Sequence, residues 1–418
     1  MLVRVAPFAS CLRDSGAMQE RLGHCIAELS RIEGVQLQVD ATSWAHAGRC
    51  DGWHVMASKG EPDATVLLIL SGGTEAQALS FLAGANDPML MLAHCADNAL
   101  PAALEILAFA NMQGRRGRIV QIRNGWQAEL LSLLQLTAVR SRLGRARIGL
   151  IGTRDIEVMP QWEMEDRVKR AWGPTIVQMP VETLINAYRA VGEGEARAAA
   201  EDLAARAERV CEPSLDTMAG AGALYVALRG IVDSEGLDAV AVRCFDLLDT
   251  VHNTGCYALA RLNEEGIPAA CEADVLSCIG MLLVHEAADQ PSFMANPSSI
   301  DPEGGVVTFA HCTIARTMTA RHRLRSHFES GIGVGIAGEL SPGRATVLRL
   351  GGRGLDGAFI AGGSIERSIP REDMCRTQAA VRFDFPGDAR QMLRRPLGNH
   401  HLLIAGDWTG LLSEYCQR

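Results

Sequence analysis

Two carboxylates directly precede an apolar segment in the stretch CEADVLSCIGMLLVHE, residues 271–286. Nearly every side chain from position 275 to position 284 is apolar, which predicts a helix that is buried on all sides. An unpaired charge at the end of such a helix is costly. Glu272 and Asp274 therefore need a partner, and the residue types favour a divalent cation or a polar substrate.

The spacing of these two acids suggests how they could act together. The segment PAACEAD, residues 268–274, is typical of a strand that ends where a helix begins, and residues two apart in a strand face the same way. Glu272 and Asp274 would then converge at a strand carboxyl end, where open α/β sheets bind ligands. Capping of the helix is an equally good interpretation of Asp274 alone. It leaves Glu272 unexplained, so the pair favours a metal or substrate site.

Two adjacent histidines form a second candidate site, in GNHHLLIAGDW, residues 398–408. Adjacent residues of a strand point to opposite faces, so only one of His400 and His401 can reach a given centre. A lone histidine is more often structural, but this pair follows a flexible Gly-Asn and lies near Asp407. The pattern predicts one metal or substrate histidine and leaves open which one it is. Trp408 is either an aromatic platform for a substrate or part of the core.

His311 and Cys312 end a third candidate segment, VVTFAHCTIA, residues 306–315. Neighbouring strand residues diverge, which is a poor geometry for proton transfer between thiol and imidazole. We therefore interpret His311 as a substrate contact or a metal-shell residue, and Cys312 as core filling.

The fourth candidate is LLILSGGTEAQA, residues 67–78. Thr74 and Gln77 match a capping box, and the two glycines permit a tight turn from strand to helix. Backbone amides there could bind an anion, which makes Thr74 and Glu75 candidate substrate contacts. A well-capped turn explains the spacing equally well. No Lys-Ser or Lys-Thr follows, so the segment is not a phosphate-binding P-loop.

The elements that must position these residues fall into two regions of the chain that differ in sequence pattern. Short apolar runs alternate with helical segments up to about residue 300, which predicts two α/β domains with doubly wound parallel sheets. Beyond that point glycine is dense and strand-like segments follow one another without helices, which predicts a smaller, mainly antiparallel, barrel-like domain. The predicted domains are 1–143, 144–300 with the acidic pair, and 301–418 with the His-His motif. The predicted strands are ATVLLIL, PMLMLAH, GRIVQI, ARIGLIG, TIVQMP and DAVAVRC.

Composition narrows the class of protein. The chain has 418 residues, more than one hydrophobic core supports, and a net charge of -9 without any basic block. Nucleic acid and anionic membranes are therefore not expected as partners, and the apolar runs are too short to span a bilayer. The amino-terminal residues lack the apolar core of a signal peptide. Twelve cysteines without a CxxC pair argue against a zinc ribbon or a secreted disulfide framework, so we expect a cytoplasmic protein with reduced thiols.

Taken in order, several motifs resemble the L-fucose isomerase family, and more closely its shorter fucose-isomerase-like members, which are related to L-arabinose isomerase. The motifs, which together cover most of the chain, are SGGTE, DNALPAALEILAFANMQGRRG, CEADVLSCIGMLLVHEAADQPSFMANPSSID, VVTFAHCT and GNHHLLIAGD. The resemblance implies three domains, a homo-oligomer (trimer or hexamer) and a Mn²⁺ or Mg²⁺ ion between the middle and carboxy-terminal domains. It also implies aldose–ketose isomerisation of a small sugar through an enediolate.

The resemblance also assigns residues. Matching the family's acidic motif to CEAD makes Asp274 a metal ligand, and the terminal motif supplies His400 or His401 as another. The family's metal-binding base glutamate should lie upstream, but AVAVRCFDLLDT, residues 239–250, contains none.

Three acids could replace that base. Asp246 is the nearest substitute, as base and metal ligand, and Asp249 is second. An aspartate is one methylene shorter, and a displacement of about 1 Å can cost on the order of 100-fold in rate. Glu272 is the third residue that could take the role.

Three functions fit these observations. The first is a metal-dependent aldose–ketose isomerase. The second is an enolate-forming lyase or a carbon–carbon cleaving enzyme on the same scaffold. The third is a sugar-binding relative without catalysis. Bound metal with proton exchange supports either enzyme, and product mass separates the two, since isomerisation conserves mass and cleavage does not.

Overall fold

The computed structural model describes residues 1–10, 12–40, 61–83, 89–115, 117–153 and 160–416. The chain divides into two compact units, Met1–Arg142 and Leu143–Arg418. The further division of the second unit into a middle and a carboxy-terminal domain stays a prediction.

The amino-terminal unit is built on a five-stranded parallel sheet in the order β2-β1-β3-β4-β5. Its strands are nearly continuous apolar runs because both faces of the sheet are covered. Side chains of α1 and α4 pack on one face, and those of α2 and α3 on the other. The elements are β1 (Leu2–Phe8), α1 (Ser15–Leu29), β2 (Gln36–Val39), β3 (Ala64–Ile69), α2 (Glu75–Ala83), β4 (Met89–Ala93), α3 (Ala99–Met112), β5 (Gly117–Gln121) and α4 (Trp126–Arg145).

The second unit begins with a four-stranded parallel sheet in the order β10-β9-β6-β7. The predicted buried helix is present as α11, in which nine residues between Val275 and Val284 are buried. The elements are β6 (Arg147–Ile151), α5 (Gln161–Ala171), β7 (Thr175–Met179), α6 (Val181–Ala190), α7 (Glu193–Ala205), β8 (Arg209–Val210), α8 (Leu215–Glu235), β9 (Ala239–Val242), α9 (Asp246–Val251), α10 (Cys256–Glu264), β10 (Ala269–Ala270) and α11 (Val275–Ala288).

A closed barrel of six strands follows, in the order β11-β12-β17-β16-β15-β18, with antiparallel pairing. A small sheet, β14-β13-β8, joins it to the helical part of the unit. The elements are β11 (Phe293–Asp301), β12 (Val306–His311), a 3-10 turn (Arg316–Met318), β13 (Arg321–Arg325), β14 (Gly335–Glu339), β15 (Gly343–Gly351), β16 (Gly357–Ser368), β17 (Thr377–Phe383), α12 (Pro386–Arg394), β18 (His401–Ala405) and α13 (Thr409–Cys416).

The dense glycines of this region have a packing reason. A Cβ on Gly363 in β16 would lie 2.5 Å from the carbonyl oxygen of Arg382 in β17, so only glycine allows the two strands to approach this closely. The predicted fold class, α/β with parallel sheets and a barrel-like antiparallel domain, is confirmed.

One helix combines unusual length with apolar composition. Among the described residues, α8 is long and apolar enough to cross a membrane, with a mean hydropathy of 1.2 over its most apolar window. Half of that window is buried inside the protein, against α6, α7 and α10. Its apolar surface is therefore partly used in packing within its own unit.

Candidate metal and substrate site

The turn between β10 and α11 places the two predicted carboxylates. The strand ends at Ala270, and Glu272 and Ala273 adopt left-handed backbone angles with φ of 57° and 51°. The amide of Ala273 donates to the carbonyl of Val242 at 3.0 Å, which fastens the turn to β9. The expected strand alternation therefore does not apply, and the two carboxylates approach the two different ring nitrogens of His400.

Asp274 caps α11, so the capping interpretation is confirmed. Its carboxylate accepts hydrogen bonds from the Ser277 amide at 2.9 Å and the Ser277 hydroxyl at 2.8 Å. Arg349 Nη1 donates to Oδ2 at 2.6 Å, and His400 Nδ1 lies 3.0 Å from the same oxygen. Burial alone would raise the pKa of Asp274, but the charge of Arg349 and the hydrogen bond from His400 hold it well below its usual range. Asp274 is therefore an ionised carboxylate whose acceptor capacity is filled.

Glu272 faces the other ring nitrogen of His400, and also His311. Its Oε1 lies 3.4 Å from His400 Nε2 and 3.8 Å from His311 Nε2. The candidate ligand atoms of these three residues all lie within 4.8 Å of one another, so the group could hold a metal ion. Burial would raise the pKa of Glu272, but the nearby imidazoles of His311 and His400 hold it well below its usual range. Glu272 is therefore ionised at neutral pH.

His400 fits a cation. With Nδ1 hydrogen-bonded to Asp274, its Nε2 faces Glu272, is buried, and has no hydrogen-bond partner among the residues the structure describes. Burial opposes its charge, yet the hydrogen bond to Asp274 and the nearby carboxylate of Glu272 raise the pKa of His400 to about 9. When the charged imidazole loses the proton on Nε2, that nitrogen carries a lone pair that points towards the Glu272 carboxylate. A carboxylate behind an imidazole is the usual support of a metal-binding histidine.

His311 presents the opposite chemistry at the same point. The amide of Thr313 donates to His311 Nδ1 at 3.2 Å. In the neutral ring the proton is then on Nε2, the atom directed at Glu272. Glu272 and His400 therefore offer lone pairs to a cation, while His311 offers an N–H donor. The role of His311 as a substrate contact or metal-shell residue stays a prediction.

Two cavities adjoin this group, and Glu272 lines both of them. The larger, about 960 Å³, is formed by α5, the start of α11, the turn between β15 and β16, and the segment before β18. It is large enough for a sugar. The smaller, about 40 Å³, has room for a few waters and is lined by Cys244, Cys256, Cys271, Cys312 and Cys375. The pKa of Cys312 is lowered because the thiol of Cys375 hydrogen-bonds to it, which the interpretation of Cys312 as core filling did not anticipate.

The two adjacent histidines do point to opposite faces. His401 packs against the rings of Phe309 and Phe359 in the barrel core, and its Nδ1 lies 3.0 Å from the Asn399 carbonyl. Burial lowers the pKa of His401 to about 4, so its ring is neutral. The structure therefore brings His400, and not His401, to the acidic pair.

Asp246 opens α9, where its Oδ1 accepts from Arg243 Nε at 2.8 Å and its side chain is 35% exposed. Asp249 lies on the same short helix and is exposed. Neither belongs to the group formed by Glu272 and the two histidines. Their role as the base stays a prediction.

The remaining substrate candidates have local partners. Thr74 and Glu75 lie in the amino-terminal unit, where the Thr74 hydroxyl donates to the Ser71 carbonyl at 3.1 Å instead of capping α2. The Gly73 amide donates to Glu75 at 3.2 Å. Trp408 donates from its amide to the Thr346 hydroxyl and from its indole to the Ala405 carbonyl, both at 2.8 Å. Substrate binding by these three stays a prediction.

Arg349 is the site residue that the sequence analysis missed. It is 7% exposed and lies in β15 among buried apolar side chains. A buried arginine within an apolar strand requires a carboxylate partner. The segment ATVLRLG, residues 345–351, shows such an arginine between apolar residues, so the sequence alone indicates that a partner is needed. Gly398 makes room for it, since a Cβ there would lie 2.3 Å from Arg349 Nη2.

Comparison with known proteins gives partial similarities. No family model matches the chain. A sulfoquinovose isomerase of Clostridium sp. (strain MSTE9) is 32% identical over 142 residues, which are 32% of each chain. A sulfoquinovose isomerase of Alkalicoccus urumqiensis is 25% identical over 131 residues, 30% of each chain. The chain thus matches about a third of the length of these curated relatives, and over that part it is similar to two proteins named as isomerases of a sugar.

Proposed function

We propose that the protein is a metal-dependent aldose–ketose isomerase whose substrate is a sulfonated sugar of the sulfoquinovose class. The observation that carries the proposal is the convergence of Glu272, His311 and His400. Glu272 and His400 line the cavity of about 960 Å³, and His311 lines the smaller cavity that Glu272 also borders. The partial similarity to two sulfoquinovose isomerases supports both the reaction and the substrate class. The resemblance to the L-fucose isomerase family implies the same reaction.

Glu272 and His400 would hold the cation, and Asp274 would keep His400 in the required tautomer. A divalent cation, when bound, stabilises the negative charge that develops on the oxygens of an open-chain sugar as a proton leaves the adjacent carbon. A carboxylate oxygen with an imidazole nitrogen suits Mn²⁺, with Mg²⁺ as the alternative.

In this proposal Glu272 transfers the proton. Asp274 is filled by four hydrogen bonds and cannot turn towards a substrate carbon. Glu272 is ionised, half-buried and borders the large cavity, so it can accept a proton from one carbon and return it to the next. His311 Nε2–H would donate a hydrogen bond to a sugar oxygen beside it. Glu272 thereby replaces the base glutamate that the family resemblance implies upstream.

The test is solvent proton exchange. Metal-free protein is incubated in D₂O with Mn²⁺ and with sulfoquinovose, glucose, L-fucose or L-arabinose, and deuterium beside the carbonyl is measured by NMR and mass spectrometry. We expect metal-dependent exchange with products of unchanged mass, reduced about 100- to 10,000-fold in Glu272→Gln. Glu366→Gln, on the outside of the barrel, is the matched control.

Three results would contradict this proposal. Exchange that is independent of metal would remove the cation from the reaction. Full exchange in Glu272→Gln would remove the base. Products of lower mass would indicate the lyase alternative in place of isomerisation.

The resemblance further implies a homo-oligomer, which sedimentation of the purified protein would test. A cytoplasmic location stays a prediction from the cysteine pattern.

A further inference from the structure

One arginine at the wall of the large cavity has no acidic partner in the part of the chain that the structure describes. Three arginines line it, and two of them have acidic partners: Arg349 pairs with Asp274, and Arg167 pairs with Glu163. Among the described residues, the guanidinium of Arg353 has no acidic partner. The three carboxylates of the cavity, Glu163, Asp274 and Glu272, contact the other two arginines and the histidines. An anionic occupant would therefore complement the exposed guanidinium of Arg353.

The backbone that carries Arg353 is held in place. Arg353 lies in the turn between β15 and β16, and Arg167 Nη1 donates to its carbonyl at 2.6 Å. Trp172 Nε1 donates to the Leu355 carbonyl, also at 2.6 Å. Both donors come from α5 or its end. A turn that is already ordered loses less conformational entropy when its side chain binds a ligand.

The start of α5 adds a second positive feature to the same cavity. Pro160 precedes the helix and makes no side-chain cap, and both Pro160 and Met164 line the cavity. The free N–H groups at a helix start carry a partial positive charge. Glu163 in the first turn of α5 is paired with Arg167. The unpartnered guanidinium of Arg353 and the helix end without a side-chain cap thus favour the same kind of ligand, an anion.

The separation of Arg349 and Arg353 along the chain is compatible with a sugar that spans the distance between them. Arg349 contacts Asp274, next to the His400 end of the cavity. Arg353 follows four residues later, so the two Cα atoms are at most about 14 Å apart. An open-chain hexose together with an extended arginine side chain covers a separation of this order. The carbonyl end can then lie at Glu272 and His400 while the far end reaches Arg353.

We propose that Arg353 recognises the sulfonate of the substrate and so determines specificity for a sulfonated over a neutral sugar. The inference rests on the proposed isomerase function. The planar guanidinium can donate two parallel hydrogen bonds to two sulfonate oxygens, as it does to carboxylates and phosphates. A neutral sugar would leave these donors to water.

The experiment compares sulfoquinovose with quinovose, its counterpart without the sulfonate, on Mn²⁺-loaded full-length protein. The variants are Arg353→Gln, Arg353→Lys and the control Arg367→Gln, an exposed arginine of β16 outside the cavity. Loss of a charge-assisted hydrogen bond should lower the preference in kcat/KM for sulfoquinovose over quinovose about 10- to 100-fold in Arg353→Gln, mainly through KM. Arg353→Lys should restore part of the preference, and Arg367→Gln should retain all of it.

Several outcomes would overturn the inference. Equal losses on both sugars would make Arg353 a structural residue, and no preference in the unmodified protein would mean that no anion subsite exists. A larger dependence on Arg353 for glucose 6-phosphate than for sulfoquinovose would keep the subsite but assign it to phosphate.

Direct binding by calorimetry separates failure of the subsite from failure of the isomerase proposal. If neither sugar is isomerised, the isomerase proposal fails. Binding of sulfoquinovose that is lost in Arg353→Gln would then still support the subsite, and binding unchanged by the substitution would overturn it.

Discussion

His400 donates from Nδ1 to Oδ2 of Asp274 across 3.0 Å, and the same carboxylate caps the buried helix α11. One side chain therefore fixes the start of a helix and the tautomer of the histidine that faces Glu272. Arg349 supplies the positive charge that offsets the free-energy cost of burying this carboxylate. The arrangement separates two acids that are two residues apart, one supporting the site and one facing it.

Replacing Asp274 by Asn should weaken metal binding without abolishing it. Asn still caps a helix, but it does not hold His400 with a charged acceptor, and loss of such a supporting group costs about 10- to 100-fold in metal affinity. Calorimetric titration with Mn²⁺ measures the change, at a temperature where circular dichroism shows the variant folded. Ser277→Ala, which removes one donor to Asp274 and leaves its charge, should bind nearly as well as the unmodified protein. A loss as large as that of His400→Gln would instead identify Asp274 as a direct ligand.

Metal affinity should rise with pH. In the metal-free site the pKa of His400 is raised to about 9, so below that pH a cation must displace a proton. The expected dependence is about tenfold tighter binding per pH unit between about pH 6 and pH 8, levelling off near 9. Titrations in buffers of different ionisation enthalpy would count the protons released. Affinity that does not change over this range would mean that His400 takes no part.

The adjacent histidines should respond in opposite ways to substitution. His400→Gln removes the nitrogen that faces Glu272, so Mn²⁺ binding should be lost. His401→Gln alters a ring in the barrel core, so it should lower stability and leave Mn²⁺ affinity nearly unchanged. Thermal unfolding and metal titration of both variants give the two readouts. Equal loss of metal affinity in the two would contradict the opposed orientation seen in β18.

A buried ion pair away from the site should also contribute to acid sensitivity in the second unit. Arg316 and Glu264 contact at 2.7 Å with side chains 4% and 2% exposed. Burial opposes the charge of Glu264, but hydrogen bonds from Arg316 outweigh it and lower its pKa. The pair thus contributes stability above the unfolded pKa of about 4.3, and this is lost as pH falls through the lower folded value.

Glu264→Gln should therefore cost about 3–5 kcal/mol at neutral pH, because it leaves the buried Arg316 with only the more distant and more exposed Asp202, at 3.6 Å, as a counter-charge. The surface pair of Arg382 and Glu366 gives the control, since Glu366→Gln should cost less than about 1 kcal/mol. Urea unfolding at neutral and acid pH measures both. A difference between the two variants that persists unchanged at about pH 3 would contradict the assignment.

Local features of the sequence determined most of the fold. Continuous apolar runs specify buried parallel strands, and the glycine-rich carboxy-terminal region specifies the closely packed barrel. The mainly apolar segment after Asp274 specifies a buried helix, and Asp274 itself specifies the cap of that helix. Strand alternation was enough to separate His400 from His401. These features depend on residues that are close in sequence, so the local sequence is enough to predict them.

Tertiary structure decided how the site is assembled. Glu272, His311 and His400 come from a turn, the end of β12 and the start of β18, and only packing of the barrel on the parallel sheet brings them within 4.8 Å. The left-handed backbone at Glu272 is unfavourable for a non-glycine residue, so local propensity points to continued strand instead. The long-range contacts of the turn and the pairing of Arg349 with Asp274 supply the energy that overrides it. Such contacts depend on residues distant in sequence, and local pattern therefore does not reveal them.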